Sequence, residues 1–536
     1  MLEPDFSASL TAPVPIGGVQ RQILINSAAI VICRVSLALV NILAVPFIIK
    51  YLGISGFGSW ETIYSVAAIF MVLAQGLLGT TMNWRMSISY GQGNIAYIRR
   101  LARIASIVPY FLLLLVGPII WLFRNPLIHW LNLPEAMTSP ALIIFPAVVG
   151  FMLLYGLFEI WGAVLTAFQQ AGLTAVLQTG ARIMYYFGAV AGLMMGARLW
   201  GLFIAFALSI ILSLAGTYLA ARHKCSRLSL LPVFPSRDES RSLLRYASLM
   251  IVGTAAWAVR TCLIKILLAA LESAEWVGFF SIASLLAVAV YEACSFFLMP
   301  TIAAVGALYG QNDWGGIKKI YGNMMVIIAF FSGMSCILVL GFYDRIMIFW
   351  MGRLIPQVVP ILILLVIGNT IAVILTGAGT AVCRGIGRVE IETRYMLLGL
   401  VLNALLIILL MTKMGGIGIV IAGSLSWALS AVYFQFILHR KLDLPFSASL
   451  GGASSLPVVA FIIIGARLLL SRIPLPTRRL TALRDIFIFG TMALVGYFCL
   501  MLINPTFRQL AASTTRRIRG RMRDLLKSGG RIAGRG

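Results

Sequence analysis

Long apolar segments follow one another along most of this 536-residue chain. A helix needs ~20 mainly apolar residues to cross the ~30 Å hydrocarbon core of a bilayer, and these segments are about that long. Charged residues make up only 11% of the chain, whereas a soluble protein has about 25%. The sequence therefore predicts an all-α integral membrane protein with about fourteen transmembrane helices, at residues 23–49, 57–82, 104–123, 140–167, 173–195, 199–221, 243–270, 276–302, 320–343, 355–383, 393–412, 416–438, 449–470 and 485–503.

The basic residues predict how the chain is oriented. Most of the 42 Lys and Arg residues lie in alternate connections, which a cytoplasmic N-terminus would place inside. We therefore expect both termini to be cytoplasmic, although residues 471–485 place four arginines on the predicted outer side. The net charge of +25 then reflects topology, together with a tail that contacts anionic membrane lipid or is disordered. We expect no nucleic-acid partner.

Two stretches of the chain resemble each other. IIKYLGISGFGSWETIYSVAAI (48–69) and LIKILLAALESAEWVGFFSIASLL (263–286) align with Gly58 and Gly278 at an offset of 220 residues. The two stretches follow the first and the seventh predicted segments, which begin on the same side of the membrane. They therefore indicate two parallel copies of one six-helix bundle. Transporters built from such copies have their binding site between them. The predicted organisation is a cytoplasmic N-terminal tail (1–22), a first six-helix lobe (23–222), a basic cytoplasmic linker (223–242), a second six-helix lobe (243–440), an additional helix pair (449–503) and an Arg-rich cytoplasmic tail (504–536).

An arginine lies near the middle of the first apolar segment. Arg34 is eleven residues into residues 23–49, ~16 Å deep at 1.5 Å per residue, and a charge at that depth costs ~2.5–3.5 kcal/mol or more. Ser27, Arg34 and Asn41 are spaced by seven residues, so they share one helix face. This stripe predicts a helix that faces a polar cavity. The alternative is a structural arginine bonded to neighbouring carbonyl groups.

Other ionisable residues lie at similar depths. Arg260 is predicted to face the cavity, and Lys265 either joins it or extends towards the outer interface. Glu159 and Arg182 lie at matched depths in successive segments, which favours an ion pair as the alternative to a ligand role for Arg182. Glu292 is a candidate for pairing with Arg260 or for binding a coupling ion.

Basic groups outnumber acids near the membrane midplane, which indicates an anionic ligand. Arginine binds phosphate or pyrophosphate oxygens in pairs through its planar guanidinium group. Trp161, Tyr185 and Trp257 are candidates for stacking on sugar rings, with the hydrophobic core or the interfacial belt as the alternative. No P-loop and no Cys/His spacing for a metal is present. We therefore predict no catalytic residues, no cofactor and no metal.

Short motifs in both halves of the chain resemble those of a known family. The first half has an Arg-bearing first helix followed by Pro46, Leu52-Gly53 and Phe57-Gly58-Ser59-Trp60, and the second half has Val277-Gly278-Phe279-Phe280 with Pro300. In these motifs the chain resembles the polysaccharide transporter family, the O-antigen and exopolysaccharide flippases of the multidrug/oligosaccharidyl-lipid/polysaccharide (MOP) exporter superfamily. The resemblance covers roughly residues 20–440 in segment order, and 449–503 would be the extra helix pair of fourteen-helix members.

This resemblance implies a fold and a function. The two lobes would form a V around a central cationic cavity lined by Arg34 and Arg260. By alternating access the protein would move an undecaprenyl-pyrophosphate-linked oligosaccharide across the bacterial inner membrane, from the cytoplasmic to the periplasmic leaflet. A polysaccharide polymerase and a chain-length regulator are possible partners. Relatives often carry an acid near the position of Arg260 and a Tyr at Phe279, so the coupling ion, H⁺ or Na⁺, stays open.

Three alternatives remain at the level of sequence. A lipid II flippase of the same superfamily would also use basic groups, because lipid II carries a pyrophosphate. A multidrug exporter for cations would need acidic groups in its cavity. A membrane-embedded polysaccharide polymerase or ligase would need a large outer loop, and no predicted outer connection exceeds about 16 residues.

Overall fold

The computed structural model describes residues 16–229, 231–505, 507–509 and 511–512. Residues 1–15 of the predicted N-terminal tail and 513–536 of the predicted C-terminal tail lie outside this part, as do the side chains of Ser27 and Trp257. The described residues form sixteen α-helices: α1 (Ile16–Gly91), α2 (Ile95–Ala105), α3 (Ile107–Leu122), α4 (Arg124–Trp130), α5 (Glu135–Leu154), α6 (Gly156–Ala167), α7 (Ala171–Met194), α8 (Arg198–Lys224), α9 (Arg237–Leu271), α10 (Ala274–Gly310), α11 (Trp314–Met351), α12 (Val358–Gly385), α13 (Val389–Leu442), α14 (Phe446–Ala453), α15 (Ser455–Ser471) and α16 (Arg479–Met501).

Ten helical stretches of the described residues are long and apolar enough to cross a membrane, which confirms an all-α, multi-pass membrane protein. The sequence predicted about fourteen such stretches. Part of the difference arises because the first and second predicted spans form the single helical run α1, and the eleventh and twelfth form α13. Each run is interrupted by one non-helical residue, Gly53 with φ 77° and Gly415 with φ 56°. The predicted fifth span is helix α7, whose polar residues leave it outside the ten.

The first compact unit comprises residues 1–281 and 407–419. Helix α1 packs against α6, α7 and α9, and α7 packs against α8. The backbones of α7 and α8 come close together, since a Cβ at Gly192 would lie 2.8 Å from the Cα of Gly201. A hydrophobic cluster that includes Ile98, Leu101 and Trp161 buries one face of α2 and of α6. Residues 243–281, which the repeat placed in a second lobe, belong to this unit because α9 packs along α1.

The second compact unit comprises residues 282–406 and 420–536. Helix α11 is its centre and packs against α12, α14, α15 and α16. The Tyr497 hydroxyl of α16 donates a hydrogen bond to the carbonyl oxygen of Ala329 at 3.2 Å, and its ring stacks on Phe330. Helices α15 and α16 correspond to the predicted additional pair, and their contacts with α11 attach them to this unit.

A buried ionic cluster joins α11 to α15 in the second unit. Arg345 is only 1% exposed, and its guanidinium lies 2.6 Å from the carboxylate of Asp344. Arg467 of α15 lies 3.0 Å from the same carboxylate oxygen. Arg345 also donates hydrogen bonds to the carbonyl oxygens of Leu470 and Ile473, at 3.2 and 3.3 Å. One carboxylate therefore compensates two arginines between these helices. The sequence analysis did not predict this cluster.

Candidate functional site

Nine of the ten side chains predicted from sequence as site residues belong to the first compact unit. Glu292, the tenth, belongs to the second unit and is exposed. The nine are Arg34, Asn41, Glu159, Trp161, Arg182, Tyr185, Trp257, Arg260 and Lys265. The candidate site is therefore described within this unit alone.

Arg34 lies on an open face of α1. Its side chain is exposed, and its neighbours Ile32 and Val35 are 65% and 45% exposed. No hydrogen bond or ion pair joins its guanidinium to another residue of the described ranges. The alternative of a structural arginine bonded to neighbouring carbonyls is therefore not what the structure shows. Within the part of the chain that the structure describes, Arg34 therefore presents a cation without a bonded partner on a helix long and apolar enough to cross a membrane.

The other polar positions of α1 have different surroundings. Asn41, predicted to share a stripe with Arg34, is half-buried. Asn26 was not predicted, although it ties α1 to the start of α7. Its amide donates to the carbonyl oxygen of Gln169 at 2.9 Å, and it accepts from the backbone N–H of Gly172 at 3.1 Å. A polar side chain one residue before Ser27 was the only sequence signal for this contact.

Several tyrosines lie near Arg182, whose side chain is exposed. Tyr64, Tyr155 and Tyr186 are within electrostatic range of its guanidinium. The ion pair between Glu159 and Arg182, which the sequence favoured as the alternative to a ligand role for Arg182, stays a prediction.

The predicted sugar-stacking residues differ in exposure. Trp161 is 5% exposed and packs in the core with its ring centroid 5.0 Å from that of Tyr218, a burial that disagrees with a sugar-stacking role. Tyr185 is half-buried and stacks on Trp60 at 6.5 Å. Its ring also meets that of Tyr186 at 4.9 Å. Tyr185 therefore forms part of an aromatic group beside Arg182.

The two remaining basic residues lie on α9. Arg260 is 7% exposed and is thus held inside the protein, in contrast to Arg34. Lys265 makes an ion pair with Glu61 of α1 at 2.6 Å, in which the side chains are 17% and 22% exposed. Lys265 was predicted from the sequence either to line the cavity or to extend towards the outer interface, and Glu61 was not predicted as its partner. The residue that neutralises Lys265 was therefore missed.

The Glu61–Lys265 ion pair can be tested by exchanging its charges. Glu61→Lys should leave two lysines together and destabilise the protein by about 1–3 kcal/mol, below the ~3–5 kcal/mol of a broken fully buried pair because both groups are partly exposed. The double variant Glu61→Lys/Lys265→Glu should recover at least half of that loss in chemical denaturation. Equal losses in the single and the double variant would contradict a pairwise interaction.

The first unit contains the two exposed arginines of the candidate site, Arg34 and Arg182, and an aromatic group that includes Tyr185 and Tyr186. No group of three or more His, Cys, Asp or Glu side chains within the described ranges is arranged to hold a metal ion. The guanidinium groups of Arg34 and Arg182 supply N–H donors and positive charge, which suits an anion with several oxygens.

No protein-family model matches this chain, and no curated protein matches it in sequence. Its fold is similar to that of an inward-facing multidrug resistance MATE-family transporter of the MOP superfamily, with a TM-score of 0.64 at 14% identity, over 77% of this chain and 98% of the other. It is also similar to the lipid II flippase MurJ in an inward closed conformation, with a TM-score of 0.67 at 13% identity, over 88% and 98%.

A third similar structure is a MOP-superfamily transporter from Pyrococcus furiosus that is described as having a binding pocket of reverse polarity. The TM-score is 0.54 at 12% identity, over 79% of this chain and 96% of that transporter. At these identities the likeness establishes the fold. The chain has the fold of MOP-superfamily transporters, and that likeness does not identify a substrate.

Proposed function

We propose that this protein is a transporter for an undecaprenyl-pyrophosphate-linked oligosaccharide, moved from the cytoplasmic to the periplasmic leaflet by alternating access during O-antigen or exopolysaccharide biosynthesis. The observation that carries the proposal is Arg34, an exposed guanidinium in a membrane helix with no bonded partner among the described residues. Because such a charge is costly in the membrane, a role in binding an anion explains its presence.

The surroundings of the other arginine of the site support the same ligand class. Arg182 lies within electrostatic range of Tyr64, Tyr155 and Tyr186. Hydroxyl groups and a guanidinium together can bind phosphate oxygens and sugar hydroxyls, and tyrosine rings can stack on a sugar. In this proposal Arg34 and Arg182 bind the pyrophosphate, Tyr185 contacts the glycan, and Arg260 contributes positive potential, while Lys265 is paired with Glu61.

The topology is proposed together with the function. Each of the fourteen predicted spans has a helical counterpart in α1–α16 once α1 is divided at Gly53 and α13 at Gly415. We therefore propose fourteen crossings of the bacterial inner membrane with both termini in the cytoplasm. The two six-helix lobes would enclose a cationic cavity.

The second candidate is export of lipid II. One structurally similar protein is a lipid II flippase, and the pyrophosphate of lipid II would meet the same arginines. A multidrug exporter is less well supported, because the exposed ionisable groups Arg34 and Arg182 are basic. A polymerase or ligase is supported least, since similar structures are transporters.

Replacement of Arg34 tests the proposed function. In a deletion strain complemented with Arg34→Ala, surface polysaccharide should fall by about 10–100-fold, as expected when a charge-assisted hydrogen bond of ~1.5–3 kcal/mol is lost. Arg34→Lys should retain intermediate activity, because it keeps the charge and loses the paired donors. Immunoblots of membrane fractions would show that the variants are equally abundant.

Arg440→Ala is the matched control for Arg34→Ala. Arg440 is an exposed arginine in the last turn of α13, outside the candidate site. Its replacement should leave export unchanged. Full export by Arg34→Ala at normal abundance would contradict the proposed role of Arg34, and a loss of lipid II supply with no change in polysaccharide would favour the second candidate.

A further inference from the structure

An exposed apolar loop lies between α8 and α9 of the first unit. Leu231 is 70% exposed and Phe234 is 85% exposed. Pro232 and Pro235 alternate with them, and proline restricts the backbone on both sides of Phe234. Two large apolar side chains of this connection are therefore exposed, whereas its Leu228 is buried. Residues 226–236 are called the α8–α9 loop below.

The α8–α9 loop is fixed to the amphipathic helix α2. The backbone N–H of Val233 donates to the carbonyl oxygen of Arg103 at 3.3 Å, and Nε of Arg103 donates to the carbonyl oxygen of Leu231 at 3.1 Å. Arg100 donates two hydrogen bonds to the carboxylate of Glu239, at 2.9 and 3.0 Å. The exposed side chains therefore extend from an ordered backbone.

The loop also starts helix α9. Ser236 and Glu239 form a capping box, in which the hydroxyl of Ser236 accepts from the backbone N–H of Glu239 and the Glu239 carboxylate accepts from that of Ser236. The pKa of Glu239 is lowered to about 2, mainly by the hydrogen bonds from the Arg100 guanidinium and to a smaller extent by the one from the backbone N–H of Ser236. Because the carboxylate is ionised above that pH, these contacts are fully formed at neutral pH. The loop is thus fixed to the first turn of α9, the helix that carries Arg260 and Lys265.

Basic side chains surround the apolar pair. Arg222, Lys224, Arg227 and Arg237 are exposed. The nearest acids in the sequence, Asp238 and Glu239, follow Arg237, and Glu239 is paired with Arg100. Three of the basic residues are in or next to the last turn of α8, which directly follows an apolar stretch long enough to cross a membrane. The loop therefore lies at the level where headgroups meet water. Positive charge beside exposed apolar side chains is the combination that binds an anionic lipid surface.

We propose that the α8–α9 loop is a membrane-anchoring surface that binds anionic phospholipid headgroups. In this arrangement Leu231 and Phe234 insert between the acyl chains, and Arg222, Arg227 and Arg237 contact the headgroup phosphates. The anchored loop holds the start of α9 at a fixed depth. This inference does not depend on which substrate is transported.

The depth of the loop can be measured in nanodiscs with the full chain. Cys262 and Cys499 are the cysteines that are not buried, and they are replaced by serine. A small fluorophore is then attached to Phe234→Cys or, as the matched control, to Ser226→Cys, which is exposed in the same loop. In discs with brominated phosphatidylcholine and phosphatidylglycerol, the label at position 234 should be quenched several-fold more than the label at 226. Equal quenching at both positions would overturn the insertion of this side chain.

The role of charge is tested in the same labelled chain. With phosphatidylcholine as the only lipid, quenching at position 234 should fall, and the triple change Arg222→Gln, Arg227→Gln and Arg237→Gln should remove the difference between the two lipid mixtures. If quenching at position 234 is the same in both lipid mixtures and in the triple variant, the proposed binding of anionic headgroups is wrong. If the label is water-exposed in both mixtures and is shielded only by an added protein fraction, the loop binds a protein instead. A monodisperse size-exclusion peak for each variant shows that it is folded.

Discussion

Gly58→Ala is expected to destabilise this protein, although it adds a single methyl group. A Cβ at Gly58 would lie 2.7 Å from the carbonyl carbon of Ala274, closer still to its oxygen, and 2.8 Å from the backbone nitrogen of Gly278. Since these atoms belong to the backbone, the two helices must separate. Overpacking of this kind costs about 1–3 kcal/mol or more. Thermal or chemical unfolding of purified protein measures the loss, and Gly58→Leu should prevent stable expression.

Gly180→Ala is the matched control, with an expected change of opposite sign. Gly180 lies inside α7, where a Cβ would have no atom within 4 Å. Alanine at such a position stabilises a helix by about 0.5–1 kcal/mol. Gly278→Ala should behave like Gly58→Ala, because its Cβ would lie 2.5 Å from the carbonyl oxygen of Ile54. The double variant should lose less than the sum of the single losses, since one separation of the helices accommodates both methyl groups. A neutral Gly58→Ala would contradict the close approach.

The contact between Gly58 and Gly278 shows how much a sequence repeat can predict. Their offset of 220 residues marked them as equivalent positions, and the structure brings the two together within one compact unit. The repeat predicted that Gly58 and Gly278 occupy equivalent positions in the two copies. It could not predict that the two glycines contact each other, because a repeat does not show which equivalent positions lie next to the symmetry axis that relates the copies. The repeat likewise placed Arg260 in the other lobe from Arg34, whereas both residues belong to the first compact unit.

The membrane class of the protein could be predicted well for a physical reason. Every lipid-facing segment must be long, apolar and helical, so length and hydropathy mark most spans. Helix continuity was less predictable, because at Gly53 and Gly415 the chain is interrupted at a single residue, and the helical run continues through the connections predicted between spans. At the candidate site, depth in the membrane identified Arg34 as unusual. Depth did not indicate that Trp161 is buried, since packing depends on neighbours that are distant in sequence.

The ionic cluster of Asp344, Arg345 and Arg467 could not be predicted from the sequence either, because it also depends on packing between residues that are distant in sequence. Asp344 and Arg345 directly follow the predicted span 320–343, and adjacent charges at the end of an apolar segment normally indicate solvent. In the structure α11 continues to Met351. Helix α15 returns after more than a hundred residues and places Arg467 and the carbonyl oxygen of Leu470 over the two charges. Only the packing of α15 on α11 buries them.

Asp344→Asn is expected to cause the largest loss of stability among single changes that preserve shape. It removes the carboxylate that lies 2.6 Å from Arg345 and 3.0 Å from Arg467. Arg345, at 1% exposure, would then be a buried charge without its anion, and breaking a buried pair costs about 3–5 kcal/mol. Chemical denaturation of the purified protein measures the loss. Limited proteolysis should also cleave within 471–479, between α15 and α16, because the cluster helps to hold α15 on α11.

Two comparisons separate the buried charge from a general effect of the Asp to Asn change. Asp443 pairs with Lys318 at 2.8 Å, and its side chain is 99% exposed, so Asp443→Asn should leave stability unchanged, since exposed pairs contribute little. The double variant Asp344→Leu/Arg345→Met removes both charges of the closest pair and should recover most of the loss, because apolar replacement of a buried pair is often neutral. A double variant as unstable as Asp344→Asn would show that the hydrogen bonds of Arg345 to the α15 carbonyls, and not charge compensation by Asp344, hold the two helices together.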